Sequence, residues 1–178
     1  MSKKSNNLPQ LVMRRSLLHL PELNLPLDLT VRAFTDSDEE AWNNIIAASF
    51  EDHYSFNEFI KKDAEYKAER VMIALIDCVP VATASAWYKE QYGKDTGYVH
   101  MVGALPEYKG RKLGYWVSLS ALHKLKNDGF TDVVLQTDDF RLPAIKTYIN
   151  LGFEIDLISH DSIPERWGKI RRELNKIF

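Results

Sequence analysis

Between Gly97 and Thr137 the chain reads as strand, basic loop, helix and strand again. No other stretch constrains the fold as much. Two strands joined through a helix run parallel, whereas strands joined by a tight turn run antiparallel. "GYVHMVGA" has the alternation of a half-buried strand, and "LPEYKGRKLGYW" is a loop broken by Pro106 and punctuated by Gly110 and Gly114. The helix beyond presents Leu113, Trp116, Val117, Ala121 and Leu125 on one face and stops near Gly129, and "TDVVLQT" follows as a strand. One parallel pair is therefore predicted.

The remaining segments predict its surroundings. "LTVRAF" is a strand and "SDEEAWNNIIAASF" a helix, with Ser37 and Glu40 at capping-box spacing. A second, polar helix is predicted over about 56 to 68. "VMIALID" and "PVATASAWYK" form a hairpin turning near Cys78. "LPAIKTYINL" is a short helix closed by Gly152, "FEIDLIS" a last strand, and "IPERWGKIRRELNKIF" a terminal helix whose apolar stripe docks on the domain. The class is α+β, with a mixed, mostly antiparallel sheet and flanking helices. Residues 1–28 read as an N-terminal extension: 1 to 10 are polar and disordered in expectation, and 11 to 28, interrupted by Pro21 and Pro26, are an arm lying along the domain of residues 29–178.

A chain of 178 residues, 45% of them hydrophobic, can bury one substantial core. With 23 basic against 25 acidic residues there is no overall field to gather nucleic acid or an anionic membrane, so any anion site is local. The single cysteine, Cys78, excludes an internal disulfide and a cysteine metal cluster. No run of 18 apolar residues and no signal-peptide core occurs, and a cytoplasmic location is the default expectation. The histidines show no metal-ligand spacing, and no metal is expected.

The loop from Lys109 through Gly110, Arg111, Lys112 and Leu113 to Gly114 and Tyr115 places positive charge and little side chain at a helix start. There the unpaired N–H groups and the helix dipole favour an anion. Glycines let a ligand approach the backbone, which suits a pyrophosphate. The spacing fits neither a G-x-x-x-x-G-K-[ST] nor a G-x-G-x-x-G loop. A solvated basic turn is the simpler alternative.

The segments "VGALPEYKGRKLGYW" and "RLPAIKTYINLGFE", in this order of strands and helices, resemble the GNAT superfamily of N-acetyltransferases over about residues 29 to 158. The first matches its [RQ]-x-x-G-x-[GA] acetyl-CoA signature. The second matches an Asn-x-x-Ala…Tyr…Gly-Phe segment through Ala144, Tyr148, Gly152 and Phe153. Lys109 stands where the signature has Arg or Gln, Lys112 where it has its first glycine, and Arg141 in place of Asn.

The resemblance implies a parallel strand pair that splays apart and acetyl-CoA as co-substrate. It implies transfer to a small-molecule or peptide amine by direct attack in a ternary complex. Cofactor contacts fall on Val102, Gly103, Ala104, the loop from Lys109 to Tyr115, and Arg141, whose charge replaces the amide. Backbone N–H groups of Val102, Gly103 and Ala104 would polarise the thioester carbonyl, and Tyr148 would protonate the departing sulfur. His100 alternates with Tyr98, Val102 and Ala104, which puts all four on one strand face. Its imidazole is the proposed base, with ordered water or a purely structural histidine as alternatives. A non-catalytic acyl-CoA-binding or regulatory module is the rival reading, and the assembly is a monomer or homodimer. Phe50, Tyr54, Phe56 and Phe59, beside Glu51, Asp52 and Glu58, suggest a cationic acceptor.

Overall fold

A computed structural model describes residues 8–177. Seven strands form one sheet, β1 (Leu11–Ser16), β2 (Leu29–Ala33), β3 (Val71–Ile76), β4 (Val79–Tyr88), β5 (Thr96–Ala104), β6 (Asp132–Thr137) and β7 (Glu154–Ile155), in the order β2-β3-β4-β5-β6-β1-β7. Among the described residues only β5 and β6 pair in parallel. Four helices flank it: α1 (Glu39–Phe50), α2 (Leu113–Asn127), α3 (Leu142–Asn150) and α4 (Ile163–Ile177).

Helices α1 and α2 lie on opposite faces of the sheet. On one side Trp42 and Ile46 of α1 pack with Phe34, Phe56, Ile73, Trp87 and Met101. On the other, Val117, Ala121 and Leu122 of α2 pack with Val81, Ala84 and Val99. At the β1 end, Ile163, Ile170 and Leu174 of α4 close on Leu11 and Ile145. Arg166 joins them, its guanidinium gripping Asp139 at 2.6 and 2.9 Å. The terminal helix thus docks on its own domain, as its stripe predicts, and Asp139 anchors it as well as forming a turn.

Three expectations need correction. The arm is in part a strand: "LVMRRS" alternates, Leu11 and Met13 are fully buried, and β1 lies between β6 and β7. Burying those two side chains is worth about 1.5–3 kcal/mol each, which a loose arm would forgo. The extension is therefore not separable from the sheet. Residues 17–28 then run along α2, where Lys126 donates to the Leu18 carbonyl at 3.0 Å and a ring nitrogen of His123 lies 2.9 Å from the Pro21 carbonyl. The expectation of disorder over 1 to 10 falls mostly on residues 1–7, outside the described ones.

The second helix shrinks to a π-helical turn, Asn57–Lys61, because Phe56 and Ile60 bury fully while the chain turns away at Asp63, which accepts Trp87 Nε1–H at 3.1 Å. Helix α1 is opened by Thr35 and Asp38, not Ser37 and Glu40. Asp38 accepts from the Thr35 N–H and hydroxyl, each at 2.8 Å, and from Arg32 at 2.6 and 2.8 Å. Arg32, with the Thr35 bonds, holds that carboxyl down at about 2.

Candidate functional site

The pairing of β5 with β6 runs from Thr96↔Asp132 to Val99↔Leu135 and ends there, although β5 continues to Ala104. The two strands part, and a cleft of about 370 Å³ opens between the end of β5, α1, and the starts of α2 and α3. Val102, Gly103, Ala104, Gly114, Ala144 and Tyr148 border it, together with Ser49 and Thr147, which carried no sequence signal. Residues from the two sequence segments are thereby brought to one opening.

A β-bulge shapes the strand at this point. Thr83 faces Gly103 and Ser85 faces His100, so Met101 and Val102 together oppose Ala84, and Met101 takes a left-handed φ of 49°. The extra residue shifts the alternation. Tyr98, His100 and Met101 lie on the α1 face, whereas Val99, Val102 and Ala104 pack toward α2. The single face expected for Tyr98, His100, Val102 and Ala104 is corrected accordingly, and His100 stands on the opposite side of β5 from Val102.

Helix α1 closes directly on β5 because Gly103 has no side chain. A Cβ there would lie 2.8 Å from Ser49 Oγ and 3.0 Å from Ile46 Cδ1. The Ser49 hydroxyl accepts the Ala104 N–H at 2.9 Å and donates to the Ile45 carbonyl at 2.7 Å. Of the three backbone donors expected around the splay, Ala104's is thus already satisfied within the chain, and Gly103 stands in the β4 ladder opposite Thr83.

The basic loop opens α2 as expected. Gly110 has φ 91° and Lys112, the N-cap, has φ 56°. Lysine in the signature's glycine position therefore adopts the left-handed backbone glycine would take, at a cost of about 1–2 kcal/mol. Lys109, Gly110, Arg111 and Lys112 are exposed. Leu113 is buried in the core, so only its backbone faces the loop, and Tyr115 packs edge-on against Trp116. Arg111 is paired with Asp28 at the end of the N-terminal arm. A Cβ on Gly114 would meet nothing within 4 Å, which leaves an open cradle at the head of the helix, before the ladder that Tyr115 and Trp116 begin on the Lys112 carbonyl.

Arg141 does something different from what its position implied. Its guanidinium lies 3.9 Å over the Phe50 ring and 3.5 Å from the Ser49 carbonyl, so it holds the end of α1 against the start of α3. Asp138 is 3.6 Å from Nε, beyond hydrogen-bond range, and that nitrogen is buried without a hydrogen-bond partner.

Tyr148 is 7% exposed, packs edge-on with Phe153 at 6.0 Å, and borders the cleft. Burial raises its phenol to about 12, moderated by the positive charge of Arg141, so it carries its proton at neutral pH. His100 is depressed to about 4, first by burial and then by the Lys89 ammonium, with Asp63 opposing. Its imidazole is unprotonated throughout the neutral range, with an available lone pair and low basicity.

That depression has a consequence for stability. The unfolded imidazole takes up a proton near 6.5 and the folded one only near 4, so between these values the unfolded chain holds more protons and stability rises with pH. Denaturant unfolding should show wild type losing about 2–3 kcal/mol more than His100→Gln between pH 7 and pH 4. Equal losses in the two proteins would contradict it.

The aromatic and acidic segment is mostly structural. Phe56 stacks on Phe34 at 4.2 Å inside the core, Tyr54 sits edge-on to Phe50 and Phe59, and Arg141 covers Phe50. Glu51, Asp52 and Glu58 are exposed.

With this geometry in place, comparison identifies the class. Residues 32–153 match the acetyltransferase (GNAT) family, and the chain belongs to that family. It is 30% identical over 151 residues to a mycothiol acetyltransferase of Thermomonospora curvata, covering 80% of this chain and 50% of that protein. It is 34% identical over 167 residues to one of a Nocardioides species, covering 80% and 56%. The chain thus spans about half the length of these curated relatives. Among solved structures, a GCN5-related N-acetyltransferase from Sphaerobacter thermophilus superposes with a TM-score of 0.65 at 20% identity, over 83% of this chain and 49% of that one. The ribosomal-protein-S18-alanine N-acetyltransferase of Escherichia coli gives 0.59 at 19%, over 71% and 77%. These two likenesses establish the fold: a mixed, mostly antiparallel sheet whose parallel pair splays apart. Among the described residues no helix is long and apolar enough to cross a membrane.

Proposed function

We propose that this chain transfers the acetyl group of acetyl-CoA to an amine, with both substrates bound at once. The observation that carries the reading is Tyr148, a phenol held protonated on the wall of the cleft where β5 and β6 part. The open position over Gly114 and the exposed cations Lys109 and Lys112 fit the phosphates of the coenzyme at the head of α2. The unpaired edge of β5 beyond Val99 fits its amide-bearing arm as an added strand. Acetyl-CoA supplies the activated acyl group and a thiolate leaving group. Tyr148 then holds, at its hydroxyl, the proton that a departing sulfur requires. His100, on the α1 face, offers the unprotonated imidazole that can take a proton from the amine, directly or through water.

The packing of Arg141 against the end of α1 supports the alternative of a binding or regulatory module, because that placement offers the coenzyme one fewer ready contact. Initial rates at varied acetyl-CoA and amine concentrations separate the readings. Intersecting double-reciprocal lines are expected for direct transfer. Parallel lines would indicate a covalent acyl-enzyme, and no amine-dependent rate would leave the module reading.

A further inference from the structure

On the α1 face of the sheet, next to His100, lies a half-buried cation without an ion-pair partner. Lys89 extends from the end of β4 so that its ammonium sits 4.1 Å above the centre of the Tyr98 ring. That ring is held in place by Tyr92, stacked at 5.8 Å, and by its hydroxyl, which donates to Gln136 Oε1 at 3.2 Å. The same ring lies 5.5 Å from the His100 imidazole, and Trp87 closes the patch at 6.3 Å from it.

Asp63 is the carboxylate whose charge is felt by both Lys89 and His100, and both its oxygens are engaged. Oδ2 accepts the Trp87 Nε1–H at 3.1 Å and Oδ1 accepts the Glu65 N–H at 2.9 Å. Among the described residues no carboxylate lies within ion-pair distance of the Lys89 ammonium. Arg14, the other cation at this patch, lies 5.7 Å over Tyr92 and is already bound to Asp156 at 2.7 Å.

We propose that Lys89 is the specificity residue of the acceptor site: it binds an anionic group of the acceptor while the acceptor's amine is directed to His100, so the acceptor is an amine that also bears a carboxylate. This rests on the acetyltransferase reading above. A simple cationic amine would meet like charge at Lys89, whereas one that also bears a carboxylate sets that group against the Lys89 ammonium. Burial also lowers the Lys89 pKa, the condition of an ammonium that gains from a bound anion. The acceptor preference is then the reverse of the one suggested by the exposed carboxylates near Glu51.

The test pairs amines that differ only in the carboxylate: phenylalanine with phenethylamine, β-alanine with ethylamine, and glycylglycine with its C-terminal amide. Wild-type protein should favour the carboxylate member of at least one pair by about 10–100-fold in kcat/KM, the range of one charge-assisted hydrogen bond. Lys89→Met should erase that preference by raising KM for the carboxylate member alone, and Lys89→Arg should keep it, with acetyl-CoA affinity unchanged by calorimetry in both. A wild type that favours the carboxylate-free amines, or a preference intact in Lys89→Met, overturns the assignment while leaving acetyl transfer standing. No thiol release with any amine removes the transferase reading, and this inference with it.

Discussion

Tyr148→Phe should bind acetyl-CoA as wild type does and turn over roughly 10²–10⁴-fold more slowly. The ring keeps its edge-on contact with Phe153 and its place in the core, so the substitution removes one oxygen and little packing. What is lost is the proton at the cleft wall. A phenol whose pKa has risen to about 12 is a poor acid in isolation, but in the proposed transfer its partner is a departing thiolate, and the positive charge of Arg141 nearby favours the phenolate that would form. Thiol release with an accepted amine gives turnover and calorimetry gives affinity. Full activity in the variant would reassign Tyr148 to packing.

Gly114→Trp should weaken acetyl-CoA binding by at least about 100-fold while the protein stays folded. The two halves of that expectation have separate grounds. Nothing lies within 4 Å of where the Cβ would be, so the indole meets no protein atom at its root, and tryptophan is an acceptable residue in the first turn of a helix. The same open space belongs to the cleft, where a bulky ring takes the room that close backbone approach needs. An unchanged thermal midpoint together with unchanged affinity would place the coenzyme elsewhere.

Strong periodicity and strong punctuation were legible in the sequence. The order from β2 to α4, the single parallel pair and the αL glycines after α2 and α3 follow from local patterns, whereas Tyr148 was singled out only by the resemblance of its segment to the family. Long-range placement was not. Leu11–Ser16 alternates over only six residues before Pro21, and nothing local shows that the slot between β6 and β7 is open to it. The bulge at Met101 has no glycine to announce it, yet it turns His100 away from Val102. Lys112 reads as a lost glycine in sequence, whereas its backbone still takes the glycine conformation. Ser49 and Lys89 look like an ordinary helix serine and a strand-end lysine. Their partners are distant in sequence: Ser49 bonds the Ala104 N–H 55 residues away, and Lys89 lies over the Tyr98 ring of the neighbouring strand.

The most direct test of the whole account is to incubate the wild-type chain with acetyl-CoA and an amine panel, measuring free thiol and acetylated amine together. The account predicts that the two appear in equal amounts, only when amine is present, and that both are lost in Gly114→Trp. Thiol release that is independent of amine, or none in a protein shown to bind acetyl-CoA, would contradict it.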